Sequence, residues 1–461
     1  MAPGRPARRA GHASLRAAKP AIGYAGAAMD APAVIAAIRF GHGRRPSDPV
    51  PPDPAAWLEA QLAPGLPGPA LPADLPTTLR AVFLAQVEDA ASARAGMGRP
   101  NGRRIATEEA AAAVALAIES PNGLRERLVA FWTNHFTVAR AKVGPLVGVY
   151  VRDAIRPHVT GRFEDMLLAV VRHPAMLSYL DNQNSIGPES PSGQRARRGL
   201  NENLAREILE LHTVTPAARY TQADVTNFAK VLTGWSFIAA REPHGFEFRA
   251  RAHEPGDKTV LGRTWPEGEQ GGVQALTWLA RHEATHRHLA TKLVRHFVAD
   301  DPPPEAVRTV FAALRDTRGD LAAATRALIR LPAAWSPPLT KLRTPSDYVV
   351  AVLRAVEAPG DQADRMAVGT MNYLGQPLWG ARAPIGWPDV AADWAAPETM
   401  LRRVEWANGV SARGAGRDAA DVAEATLGPL VRPETLRAAA RAGSAREALT
   451  IVLTSPEFHR R

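Results

Sequence analysis

Cysteine is absent from all 461 residues, which excludes disulfides, zinc–thiolate sites and thiol catalysis outright. No apolar run reaches the roughly 18 residues that a membrane helix needs, so no membrane span is expected. The basic N-terminus is followed only by AIGYAGAAM, too short and too rich in glycine to be the apolar core of an export signal. As written, the chain shows no secretory signal, and the cytoplasm is slightly favoured over the periplasm. Met29, ahead of DAPAVIAAIRFG, reads as a plausible start. Aromatic residues make up only 6% and β-branched residues are sparse, so sheet is the poorer expectation. Lysine is scarce too: only six of the 56 basic residues are lysines.

What is present favours helix. Hydrophobic residues reach 46%, mostly alanine and leucine, the residues that lose least on entering a helix. The 40 prolines and 36 glycines sit mainly between helical runs, as punctuation. The length is too great for one small core, so two or three packed lobes are expected. The net charge of +10 invites a nucleic-acid reading, which we discount. Residues 1–28 hold Arg5, Arg8, Arg9, Arg16 and Lys19 with no acid, leaving +5 on the rest of the chain. No basic stripe with interleaved aromatics follows, and no nucleic-acid role is expected.

The fold class expected is all-α: a large multi-helix protein of repeated helix-turn-helix units with a small β-hairpin flap. Residues 1–28 read as a disordered basic extension, 29–181 as an N-terminal helical lobe and 182–199 as a flexible loop. Residues 200–265 then carry the central motif helices and the flap, and 266–461 a C-terminal helical lobe. The flap is expected from Trp235–Phe237, Phe246–Phe248 and Thr259–Leu261, as a hairpin or three strands. Thr107 is expected to cap a helix over Glu108–Glu119, and Thr221, with Asp224 at N3, another. The repeated unit is visible in VVRHPAML, WLARHEATH, LIRLPAAW and VLTSPEFH. Each is an apolar helix end, a breaker dipeptide and a new helix start.

One repeat contains His282-Glu283-Ala284-Thr285-His286, a match to the HExxH pattern of zinc proteases. The alignment of repeats sets Glu283 where a proline starts a helix elsewhere. That makes His282 a capping residue outside the helix, and the protease reading is declined.

The stretch Asn201–Trp235 is polar where a core helix should be apolar. At 100° per residue Asn203, Arg206, Glu207 and Glu210 share one stripe, and Leu204, Ile208 and Leu211 share another. Together with FWTNHFTV, HEPGDKTVLG and HRHLATKLVRHFV, the stretches NENLAREILELHT and YTQADVTNFAKVLTGWSF resemble the bacterial domain-of-unknown-function family numbered 1800, from about Met29 to the C-terminus. The resemblance implies a helical fold and no established activity. It also implies a gene often set beside one for a secreted sulfatase-like partner, and export of many members. The family pattern nearer H-P-A-T-A leaves Glu283 and His286 as departures. The matching positions are His135, then Asn201, Glu202, Asn203, Arg206, Glu207 and Glu210, then His253, Asp257 and Lys258. Their roles do not come with the resemblance.

Glu207 and Glu210 project to one side of a helix. With His135 and His253 they could form a histidine–carboxylate metal site, taken as His135, His253 and Glu207 around a divalent cation. Alternatively Glu207, Glu210, Arg206 and Lys258 serve acid–base catalysis without a metal. The plain reading is a salt-bridge cluster, with Arg206 and Glu210 as an i,i+4 pair. Lys258 stands out as a lysine kept in an arginine-rich chain. Trp132, Trp235, Trp379, Trp387 and Trp394 are expected to fill lobe interfaces, and the run Leu374–Trp394 could also line a groove. Two functions stay open: a hydrolytic or oxidative enzyme with a site between two helical lobes, or a non-enzymatic accessory protein that binds a sulfatase- or phosphatase-like partner.

Overall fold

The computed structural model describes residues 30–461, except 196–198, 359, 414–416 and the side chains of 360–362. The expected basic extension at 1–28 lies outside the described residues. Helices dominate, and the strands among the described residues form two antiparallel pairs, beside two isolated bridges. The all-α reading with a small β element holds. Among the described residues no helix is long and apolar enough to cross a membrane.

The flap differs in detail from expectation. Strand β1 (Trp235–Ile238) pairs with β2 (Gly245–Phe248), and β3 (Lys258–Val260) pairs with β4 (Arg263–Trp265). These are two separate hairpins, not one three-stranded sheet. β4 has only three residues, Arg-Thr-Trp, too few to show an alternation that sequence reading could detect.

Local signals set many helix ends. Thr221 and Asp224 form a complete capping box ahead of Gln222–Val231. His173 and His282 each cap a following helix, accepting from the backbone N–H two residues on at 3.1 Å. His282 therefore sits outside the Glu283–Phe297 helix. The helix expected to start at Glu108 begins eight residues earlier, running from Pro100 to Glu119. Its cap comes from a different helix, Leu79–Arg94: the Asp89 carboxylate accepts from Asn101 N at 3.0 Å and Gly102 N at 2.6 Å. With the orphan donors satisfied from outside, no local capping residue is needed.

Apolar side chains gather in two cores. One holds Phe40, Trp132, Phe136, Phe163 and Leu293; the other holds Ile38, Val114, Tyr348 and Leu453. The segment 182–195 is tied to the hairpin region. Asn182 donates to the carbonyls of Leu232 and Trp235, and Gly187 N donates to Ala252 O.

Candidate functional site: a lysine-lined cavity

The helices Gly123–His135, Glu283–Phe297 and Pro345–Ala355 and the irregular run 376–390 enclose a cavity of about 460 Å³. Spacing builds the wall from the second helix: His288, Lys292 and His296 fall four residues apart, so they stack on one face. Asn134 and His135 close the first helix. The Asn134 amide forms a two-way clasp with Trp387, donating to its carbonyl at 2.9 Å and accepting from its N–H at 2.7 Å. Gly386, just before, must be glycine: its φ is +81°, and a Cβ would lie 2.5 Å from the Asn134 carbonyl oxygen. The clasp holds Trp387 and Asp389 against the cavity.

His135 is buried and its tautomer follows from its partners. Its Nε2 faces the carbonyl of His212 at 3.2 Å, so that nitrogen carries the proton. Nδ1 is then an acceptor, and Lys292 Nζ donates to it at 3.0 Å. His288 Nε2 donates to the neighbouring carbonyl of Leu211 at 3.1 Å. Both carbonyls belong to the π-helical turn Ile208–His212, whose wider winding leaves them free to accept from side chains. Burial lowers the Lys292 amine to about 8, with Arg295 opposing its charge and Asp389 favouring it. Burial, then the neighbouring Lys292 ammonium, holds His135 well below its usual range. His212 is buried with neither ring nitrogen partnered.

A charged lattice backs the cavity. Asp347 accepts from Arg127 at 3.1 Å and forms ion pairs with Arg461 at 3.0 Å and His42 at 3.5 Å. Arg461 also reaches Asp389 at 3.1 Å, and Asp389 pairs with His296 at 2.7 Å. Burial alone would raise the Asp347 carboxyl; Arg127 and Arg461 overcome it and hold the group well below the carboxylate range.

The expected metal set is not assembled. His135 meets His212 and Lys292. His253 meets Thr233, Lys258 and Gly268. Glu207 interacts with Glu210, Arg206 and Tyr179. Among the described residues no three His, Asp or Glu side chains gather to hold a metal ion. Both nitrogens of His253 are engaged: Nδ1–H donates to the Thr233 carbonyl at 2.8 Å, and Nε2 accepts from Lys258 Nζ at 3.1 Å and Gly268 N at 3.0 Å. Lys258 also donates to the Glu254 carbonyl, and Glu254 pairs with Lys230 at 3.4 Å. These contacts clamp the second hairpin to the helix before the first. Burial lowers the Lys258 amine despite three nearby carboxylates. The expected acid–base set is likewise not one group. Asn203 and Glu210 are exposed, and Arg206 and Glu207 are half-buried. Arg206 pairs with Glu202 at 2.9 Å instead of with Glu210. Burial, then Glu210, raises the Glu207 carboxyl. The polar stripe is largely a solvated face; its helix reaches the cavity through its last turn, at Leu211.

Residues 35–460 match the family described as "Protein of unknown function (DUF1800)". The chain belongs to that family. No curated protein and no solved structure matches it. For this DUF1800 member, residue reading missed Lys292, His288, His296, Asp347, Asp389 and Arg461. A signal was present for the first three, in the four-residue spacing of HRHLATKLVRH. None existed for the last three, which meet across more than 40 positions of sequence.

Proposed function

We propose that the protein is an enzyme whose reactive group is the Lys292 amine, used as a general base on a small molecule held in the cavity. The observation that carries this reading is the chain of contacts behind that amine. The His212 carbonyl fixes the His135 tautomer, and His135 Nδ1 in turn orients Nζ. Among the described residues no carboxylate makes an ion pair with Lys292. A neutral Lys292 keeps one N–H on His135 and leaves its lone pair for a ligand. This is the base-plus-orienting-group arrangement that proton transfer needs. An amine near 8 is about one-tenth neutral at pH 7, close to the operating range of a general base.

Six lysines make the test direct. Biosynthetic labelling with ¹³Cε-lysine reports each amine by NMR without altering it, and Lys292→Arg assigns the signal of interest. A midpoint near 8 for Lys292, against about 10 for exposed lysines, is expected. An ordinary midpoint for Lys292 overturns the enzyme reading. It would favour the accessory role instead, in which this surface serves a sulfatase- or phosphatase-like partner and needs no tuned amine.

A further inference from the structure

The cavity walls carry several charges, and most cancel locally. Arg152 pairs with Glu109 at 2.9 Å, Arg156 with Glu126 at 2.6 Å, Arg127 with Asp347 at 3.1 Å and Arg461, behind the wall, with Asp389 at 3.1 Å. Two lining cations remain without an ion-paired carboxylate among the described residues: Lys292 and Arg295. They are three apart on one helix, hence on neighbouring positions of one face. Among the described residues Arg295 spends only its Nε, on the Asp300 carbonyl at 3.3 Å, which leaves its two terminal nitrogens as a fork. The opposite character comes from the run 376–390, which offers Leu378, Trp379, Ile385 and Trp387. Ile385 is 63% exposed. A branched apolar side chain this exposed at the rim of a cavity is surface that a ligand can cover.

We propose that the cavity takes an organic carboxylate, its head between Lys292 and Arg295 and its apolar body along Trp379, Ile385 and Trp387. This rests on Lys292 being the reactive group. It adds that the substrate brings a carboxylate into ion-pair contact with Lys292 and Arg295, which no carboxylate of the described wall makes. An anion beside Lys292 stabilises the ammonium, so binding and protonation are linked.

The ¹³Cε-lysine signals report this too. Phenylacetate is expected to raise the Lys292 midpoint by about one unit in a saturable way, while neutral phenylacetamide leaves it in place. Arg295→Gln should weaken phenylacetate binding roughly tenfold, with the other lysine signals unchanged as a check on folding. A Lys292 midpoint near 8 that phenylacetate does not move overturns the carboxylate proposal and leaves the general-base reading standing. A midpoint near 10 in the free protein overturns the general-base reading itself. An equal response to inorganic phosphate overturns the apolar half of the proposal.

Discussion

Acidification from pH 7 to pH 5 should destabilise this protein sharply, and histidine is the cause. His212 is 1% exposed and neither ring nitrogen has a partner. Burial, with Lys292 and His288 adding repulsion, lowers it to about 3. Burial alone takes His173 to about 3, and burial with three nearby arginines does the same to His459. In the unfolded chain each titrates near 6.5. Between those two values such a histidine is neutral when folded and protonated when unfolded. The unfolded state therefore binds the extra proton, and stability falls as pH drops through about 6.5, levelling only below the folded value. From pH 7 to pH 5 each of the three costs about 2 kcal/mol. Even half the combined loss is a large share of the roughly 5–15 kcal/mol that keeps a domain folded. Urea titrations at pH 7, 6 and 5 measure this, since urea leaves charge interactions unscreened. His212→Phe isolates one contribution. A phenyl ring there keeps the edge contact with Phe136, whose ring centroid lies 5.0 Å away. The variant should change little at pH 7 and remove about 2 kcal/mol of the loss by pH 5. Stability that stays level between pH 7 and pH 5, or a slope unchanged in His212→Phe, would refute the reasoning. Either result would mean that these rings accept a second proton while folded.

Two other variants probe the scaffold. Asp347→Asn strips Arg127 and Arg461 of a shared carboxylate while both stay buried, so roughly 3–5 kcal/mol of stability should be lost, read as a lower urea midpoint at pH 7. His282→Ala should cost only the loss of a helix cap, about 1 kcal/mol, with His282→Asn recovering most of it; a change in bound zinc on elemental analysis would instead revive the declined protease motif.

How far the chain could be read without coordinates depended on whether the cause of each feature lay nearby in sequence. The helical class, the Thr221–Asp224 capping box and the cap at His282 are local, and each was legible. The start of the Pro100–Glu119 helix was not, because Asp89 supplies its cap from another helix. The cavity was hidden in the same way. Glu207 and Glu210 drew attention as a polar stripe, yet a stripe opposite an apolar face is what a half-exposed helix shows by default. What distinguishes Lys292 is the company it keeps: an imidazole from Gly123–His135, a carbonyl from Ile208–His212, and indoles from 376–390.

Scarcity was nevertheless a usable clue, and the sequence reading applied it to Lys258 and not to Lys292. In a chain that otherwise chooses arginine, a retained lysine asks for an explanation, because only the ammonium can shed its proton near neutrality. Lys142, Lys230 and Lys341 pair with carboxylates at 2.7, 3.4 and 2.6 Å, a duty arginine performs at least as well. Lys258 donates to His253 and a carbonyl inside a clamp. Lys292 alone among these five meets a histidine nitrogen at the wall of a cavity, with no carboxylate in ion-pair contact. A guanidinium there would stay charged at every physiological pH and could not act as a base. Position by position, that is the place where replacing lysine with arginine changes the chemistry and not merely the packing.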